Sequence, residues 1–443
     1  MQRLDALREH LRLSLWFVPA VFGFAAAASA LLLLALDRRL ADEGLEFFRF
    51  VGTSDGARSV LSTVAQSMLT FTVLVFTITM LVLQLAANQL SPRVMRTYLR
   101  DRQNQVVLGL FVATFLFTLV VLREVRSPDG DAGFVPGVSI WVSFALLVAS
   151  IGAFVIYIDH MAHAIRASTV INNIGDESSQ ALDRLYPQGE IDPGAETAPI
   201  ALGTVVREIH ADGAGTLVGI DDERLIESMR ETGMTLEVVP MVGDFVTHGS
   251  VLFRLFAASH ARAAGTDRTG AGLDDRLRAS LRLGHERTMQ QDLAFGMRQL
   301  VDIGARVLSP GTNDPTTAVQ VIDQLHDLMR RLIQRPFPSS LRGDADGEVR
   351  LARRSPSWDD YVALAFDELR LYGAGHLQVT RRLAFALRDL ISIAPGNRQQ
   401  PLLDRLDRLE DAIAREFPDL ADRAWALEGS ARGQGPADAG PMS

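Results

Sequence analysis

The sequence predicts an α-helical membrane protein with four transmembrane helices and a cytoplasmic α+β region, the latter a small β-barrel-like module plus a helical hairpin and C-terminal helices. Three observations carry that prediction. Four uncharged apolar runs of about 20 residues precede residue 160, and each matches the roughly 30 Å hydrocarbon slab when helical. The apolar period then becomes alternating over residues 201–257. Beyond residue 273 it returns to the i, i+3, i+4 spacing of helices around a Pro/Gly turn.

A chain of 443 residues is too long for one compact domain, so a bundle and at least one soluble module are expected. The net charge is −9, and the acid gathers after the apolar third. Nucleic-acid binding requires a concentrated basic face and is not expected. The absence of cysteine excludes thiolate catalysis, iron–sulfur clusters, disulfides and thiolate zinc sites. There is no lysine either, which removes phosphate-loop, Schiff-base and biotin- or lipoate-bearing lysines together. No cofactor is expected.

Residues 1–165 form the transmembrane domain, with spans at about 15–36, 65–87, 106–122 and 138–158. Arg3, Arg8 and Arg12 precede the first span, whose length and three successors distinguish it from a signal peptide. Trp16 and Phe17 sit at headgroup level, and Arg38 and Arg39 mark the far end. Between the second and third spans, Arg93, Arg96, Arg100 and Arg102 make a basic membrane-surface turn. The loop over residues 123–137 instead sets two arginines against Glu124, Asp129 and Asp131. The first loop mixes arginines and acids and fits the bias less well. Four spans place both termini on one side, and the arginine bias makes that side cytoplasmic.

On the second span Thr63, Ser67, Thr70, Thr77, Gln84 and Asn88 recur near multiples of 3.5, forming one polar stripe with Gln66 beside it. Two readings stay open. The stripe can pack against neighbouring helices, or it can line a water-filled path on a symmetry axis. Thr72 and Thr79 lie off it and are expected to bond their own backbone. No Asp, Glu, Arg or His stands in the core of a span, which argues against a proton-coupled carrier and not against a channel. His160 and His163 stand three apart beside Asp159 at the exit of the fourth span. Such a pair can hold a metal, but an interface role is the commoner case and no metal is expected.

The fourth span is expected to continue as one helix to Pro187, followed by a linker, so that residues 166–200 connect the two regions. In the β module (201–257), LGTVVREI, TLVGI, MTLEVVP and SVLFRLF read as strands, with a short helix over DDERLIESMRETG. Residues 273–335 read as a hairpin of two helices around SPGTNDP. Asp292, Gln299, Asp302 and Arg306 fall along one face of its first helix, near Arg298. Asp314 sits at an N-cap position with Pro315 at the first helical position. With Ser309, Asn313 and Thr316 these residues form a candidate assembly or ligand surface. Asp314 would oppose an anion there, which favours contact between subunits. Residues 336–428 give a strand at 348–353 and three or four helices, capped by Ser357, interrupted at Gly373 and broken at Pro395 and Pro418. Residues 429–443 read as a disordered tail.

SPRVMRTYLRDRQNQVVLG (91–109), VGDFVTHG (242–249) and FGMRQLVDIGARVLSPGTNDPTTA (295–318) together resemble the bacterial membrane-protein family catalogued as domain of unknown function 2254. The resemblance implies a four-span bacterial inner-membrane protein with a cytoplasmic domain, and it supplies no activity. Gly304 stands where the family suggests alanine, a change expected to alter packing only slightly. The VGDFVTHG turn also looks like that of barrel-sandwich hybrid carriers, without their attachment lysine.

No nucleophile–His–Asp spacing, phosphate loop or dinucleotide fingerprint is present, so an enzyme is not expected. Two functions remain. One is a homo-oligomeric ion channel or pore with a cytoplasmic gating or assembly domain. The other is a membrane-anchored scaffold or sensor whose cytoplasmic domain binds a protein partner. Both take the lipid bilayer as their first partner.

Overall fold

The computed structural model describes residues 17–42, 54–89, 102–125, 135–164, 166–189, 202–257 and 271–428. The chain forms two compact units, Met1–Val170 and Ile171–Ser443.

In the first unit α1 (Phe17–Asp42), α2 (Ser54–Gln89), α3 (Arg102–Glu124) and α4 (Gly137–Ala164) are each long and apolar enough to cross a membrane. They outrun the apolar runs because helix propensity continues into flanking polar residues, most of all ahead of α2. Helix α3 is the central element and touches the other three. Phe111, Phe117 and Val121 on it are fully buried. Its approach to α1 needs a small residue, since a Cβ on Gly109 would stand 3.1 Å from the Phe22 ring.

Polar ties then fix the register of the bundle. Asp37, buried near the end of α1, accepts from the Val138 and Ser139 amides at 2.9 and 3.0 Å and from Ser139 Oγ at 2.6 Å. It caps the N-terminus of α4 from another helix, where a carboxylate meets free amides and the positive dipole end. Thr79 Oγ1 lies 2.7 Å from the Tyr157 hydroxyl, and Thr114 Oγ1 lies 3.0 Å from Ser150 Oγ.

The expectation of one helix from the fourth span to Pro187 is corrected. Helix α4 ends at Ala164, and α5 (Ala167–Leu185) begins after Arg166, whose carbonyl accepts from the Thr169 and Val170 amides. Ser168 and Thr169 suit a helix start, yet no Pro or Gly marks the break in the sequence.

The second unit begins within α5. Strands β1 (Val205–His210), β2 (Gly215–Ile220), β3 (Thr235–Val238), β4 (Phe245–Val246) and β5 (Val251–Phe256) surround α6 (Asp222–Thr232). Asp221 caps α6, and Gly233, at φ +70°, ends it in the left-handed region. Then follow α7 (Ala271–Arg278), β6 (Leu281–Gly284), α8 (Leu293–Val307), α9 (Pro315–Leu332), β7 (Leu341–Gly343) and β8 (Val349–Arg353). Helices α10 (Trp358–Gly373), α11 (Leu377–Ile393), α12 (Gly396–Glu416) and α13 (Leu420–Leu427) close the unit.

The described strands close no barrel. They form a five-stranded sheet, β1-β5-β3-β8-β7, and a three-stranded one, β4-β2-β6. The free edge of β3 is taken by β8, pairing parallel with Leu236 opposite Leu351, so the early strands do not close on one another. One core joins both sheets to α6 and α7 through Leu217, Leu225, Met229, Leu236, Phe253 and Leu277.

Candidate functional site

Among the described residues of α2 the buried ones are Ala57, Leu61, Val64, Ala65, Met68, Val75 and Val82. The polar stripe occupies the opposite side. Thr63, Thr70, Thr77 and Gln84 are exposed and Ser67 is half-buried. Each stripe hydroxyl donates within its own helix: Thr63 to the Ser59 carbonyl, Ser67 to Thr63, Thr70 to Gln66 and Thr77 to Val73, at 2.8–3.0 Å. Among the described residues no stripe hydroxyl bonds to another helix, whereas Thr79, off the stripe, meets Tyr157. Asn88 belongs to α2, but its side chain lies outside the described residues. So do Arg93, Arg96 and Arg100 of the basic turn; Arg102 opens α3 and is exposed. His160 is half-buried in α4, and the side chain of His163 is again outside the described set. Among the described residues no group of three or more His, Asp or Glu is placed to hold a metal.

The hairpin residues do not converge. Asp292 is not on a face of α8 but at its N-cap, buried, with Oδ1 accepting from the Phe295 amide at 3.0 Å. Oδ2 accepts from Arg287 Nε and Nη2 at 2.9 and 2.7 Å. Burial pushes its carboxyl above the usual range, with Arg287 opposing. Arg298 pairs with Glu368 and lies 3.5 Å from Asp302, and Gln299 is buried. At the far end Arg306 is half-buried, and Ser309 Oγ donates to its carbonyl at 2.6 Å. Asn313 adopts φ +48°. Asp314 caps α9 through the Thr317 amide and hydroxyl at 3.0 and 2.6 Å, and Thr316 is exposed. A helix of 15 residues, rising about 1.5 Å per residue, separates these two ends.

The structure also assembles a cavity that no local motif announces. It measures about 430 Å³ and lies between the end of α5, the start of α6, the residues before α8 and the segments flanking β7 and β8. Arg184, Arg342, Arg353 and Arg354 line it, with Asp222 and Asp292 as its acids. Asp222 accepts from Arg342 and, at 2.9 Å, from Arg353 Nη1. Burial draws the Arg353 guanidinium below its ordinary value, and Asp222 opposes the shift. On the apolar side the Tyr186 and Tyr361 hydroxyls meet at 2.8 Å, and burial pushes Tyr186 up to about 12. Gln291 anchors this rim to the β region by a two-way amide pairing with Ile220, at 2.9 and 3.1 Å.

Four apolar helices in one unit and a separate α+β unit define the class, a multi-span membrane protein with a later α+β region. The chain belongs to the family of predicted membrane proteins catalogued as domain of unknown function 2254, which matches residues 12–389. It is 32% identical over 438 residues to uncharacterised proteins of Mycobacterium bovis and Mycobacterium tuberculosis, covering 98% of this chain and 82% of each relative. No solved structure matches it.

Proposed function

We propose that the protein is a homo-oligomeric channel of the bacterial inner membrane, with the α2 stripe facing its axis and the second unit in the cytoplasm, where it serves assembly or gating. One observation carries this reading: the stripe of Thr63, Ser67, Thr70, Thr77 and Gln84 faces away from the buried side of α2. Hydroxyls bonded to their own helix tolerate lipid, but the exposed amides of Gln66 and Gln84 do not find that remedy and are better placed against water or a second copy. Rings of uncharged hydroxyls and amides suit a hydrated path, and closed symmetry repeats one face around an axis.

The cysteine-free sequence makes the test direct. Thr77→Cys on the stripe should give disulfide-linked dimers of the full chain in membranes under mild oxidation, and Met68→Cys on the buried face should not. Vesicles containing the protein should pass ions, and Thr70→Val with Thr77→Val should change that flux. Ion flux equal to that of empty vesicles across membrane potentials, or crosslinking that ignores the face, would defeat the proposal.

A further inference from the structure

We propose that the arginine-lined cavity of the second unit binds a phosphate-bearing small molecule with an apolar or flat organic part, of the nucleotide type. The site lies wholly within Ile171–Ser443 and stands whether or not the first unit conducts.

Size comes first. A volume of about 430 Å³ falls within the roughly 300–1,000 Å³ of small-molecule pockets. Charge comes second. Asp292 is matched by Arg287, which donates twice to Oδ2, so it cancels none of the lining arginines. Asp222 serves Arg342 and Arg353 together, one carboxylate for two guanidinium groups. Arg184 has a backbone carbonyl of Met289 at 3.3 Å and, among the described residues, no carboxylate partner. Arg354 makes no ion pair or hydrogen bond among the described residues. Four lining arginines thus share one carboxylate, Asp222, in a chain whose net charge is −9.

Arg184 and Arg354 are exposed at the mouth, so this excess of one sign draws in an anion rather than straining the empty cavity. The excess exceeds what one carboxylate on a ligand would neutralise and suits a di- or triphosphate. Guanidinium forks bind phosphate oxygens in pairs, and in a lysine-free chain arginine is the only permanent cation available. A further donor is unspent, since Arg353 Nε is buried without a hydrogen-bond partner. Geometry supplies the rest. Val242, Leu293, Phe337, Pro338 and Pro356 also line the cavity and supply apolar surface for an organic part.

The test uses the full chain in detergent micelles, titrated calorimetrically with ADP and with pyrophosphate. ADP should bind, and Arg354→Gln should weaken it at least about tenfold, the expected scale for a charged hydrogen-bonding partner. Arg184→Gln should do the same. Both side chains lie where substitution leaves the fold intact, and Arg408→Gln, on the exposed side of α12, should bind like the parent. ADP binding tighter than pyrophosphate supports the apolar half of the proposal, and equal or weaker binding overturns that half. No binding of either anion, or equal affinity in parent, Arg354→Gln and Arg184→Gln, overturns the site.

Discussion

Gly243 lies against Asp292. At φ +98° its backbone is left-handed, and a Cβ there would stand 2.7 Å from both Asp292 Oδ2 and Arg287 Nη2. Two sequence motifs, the VGDFVTHG turn and the start of the hairpin, therefore meet at one point. Gly243→Ala should cost about 2–3 kcal/mol, combining left-handed strain with displacement of the ion pair. Gly249, also left-handed at φ +79° but with open space beside it, provides the comparison. Gly249→Ala should cost only about 1–2 kcal/mol from strain. Denaturant unfolding of the full chain distinguishes them, and equal costs would mean that the contact contributes nothing.

His326 should make stability depend on pH. Arg382 can only donate, so its 3.0 Å contact with Nδ1 leaves that nitrogen without a proton, and Nε2–H donates to Asp389 at 2.8 Å. A neutral ring satisfies both contacts. Burial holds it below its ordinary 6.5, outweighing the upward pull of Asp389. The unfolded chain then takes up a proton more readily than the folded one. The contribution of His326 is complete above about pH 6.5 and is lost as pH falls from there through the folded value. Unfolding midpoints should drop more steeply in the parent than in His326→Gln between about pH 7 and pH 5. A gap between the two that stays constant would remove His326 as the cause.

Asp37 should hold the start of α4 in place. Asp37→Ala strands the Val138 and Ser139 amides and should cost about 1–2 kcal/mol, and Asp37→Asn, which keeps one acceptor, should cost roughly half as much. Thermal unfolding in micelles checks the order Ala below Asn below parent.

Arg398 should be irreplaceable by lysine. It is fully buried, donates Nη1 to the Ile333 carbonyl at 2.7 Å, and lies 4.7 Å from the Phe337 ring centre and 5.8 Å from that of Trp358. Arg398→Lys loses the planar fork and both stacking faces, about 2 kcal/mol or more. Limited proteolysis near residues 336–338 should speed up accordingly, and an unchanged rate would show that the segment holds without Arg398.

What the sequence made legible was local. Apolar length marked α1 to α4, and the caps at Asp314 and Ser357 were readable because a cap and its amides lie within three residues. Asp37 capping an amide 101 residues away was not. Neither was the cavity, whose arginines come from positions 184, 342, 353 and 354 and meet only after folding. The strands were visible by alternation, but their partners were not, and the barrel-like module expected there takes the form of two sheets. The neighbours of Gly304 were not readable either. A Cβ there would lie 2.5 Å from Leu369 Cδ2 and 3.2 Å from Val321 Cγ1, so alanine at this position requires its neighbours to move.

The parallel pairing of β3 with β8 imposes an order on biosynthesis. Strands β1, β5 and β3 can join once residue 256 has left the ribosome, but Leu236 must wait for Leu351. Throughout that interval of translation β3 presents an unpaired edge, the surface most prone to sticking to other nascent chains. Slow elongation between the two strands would therefore lower the yield of correctly assembled chains.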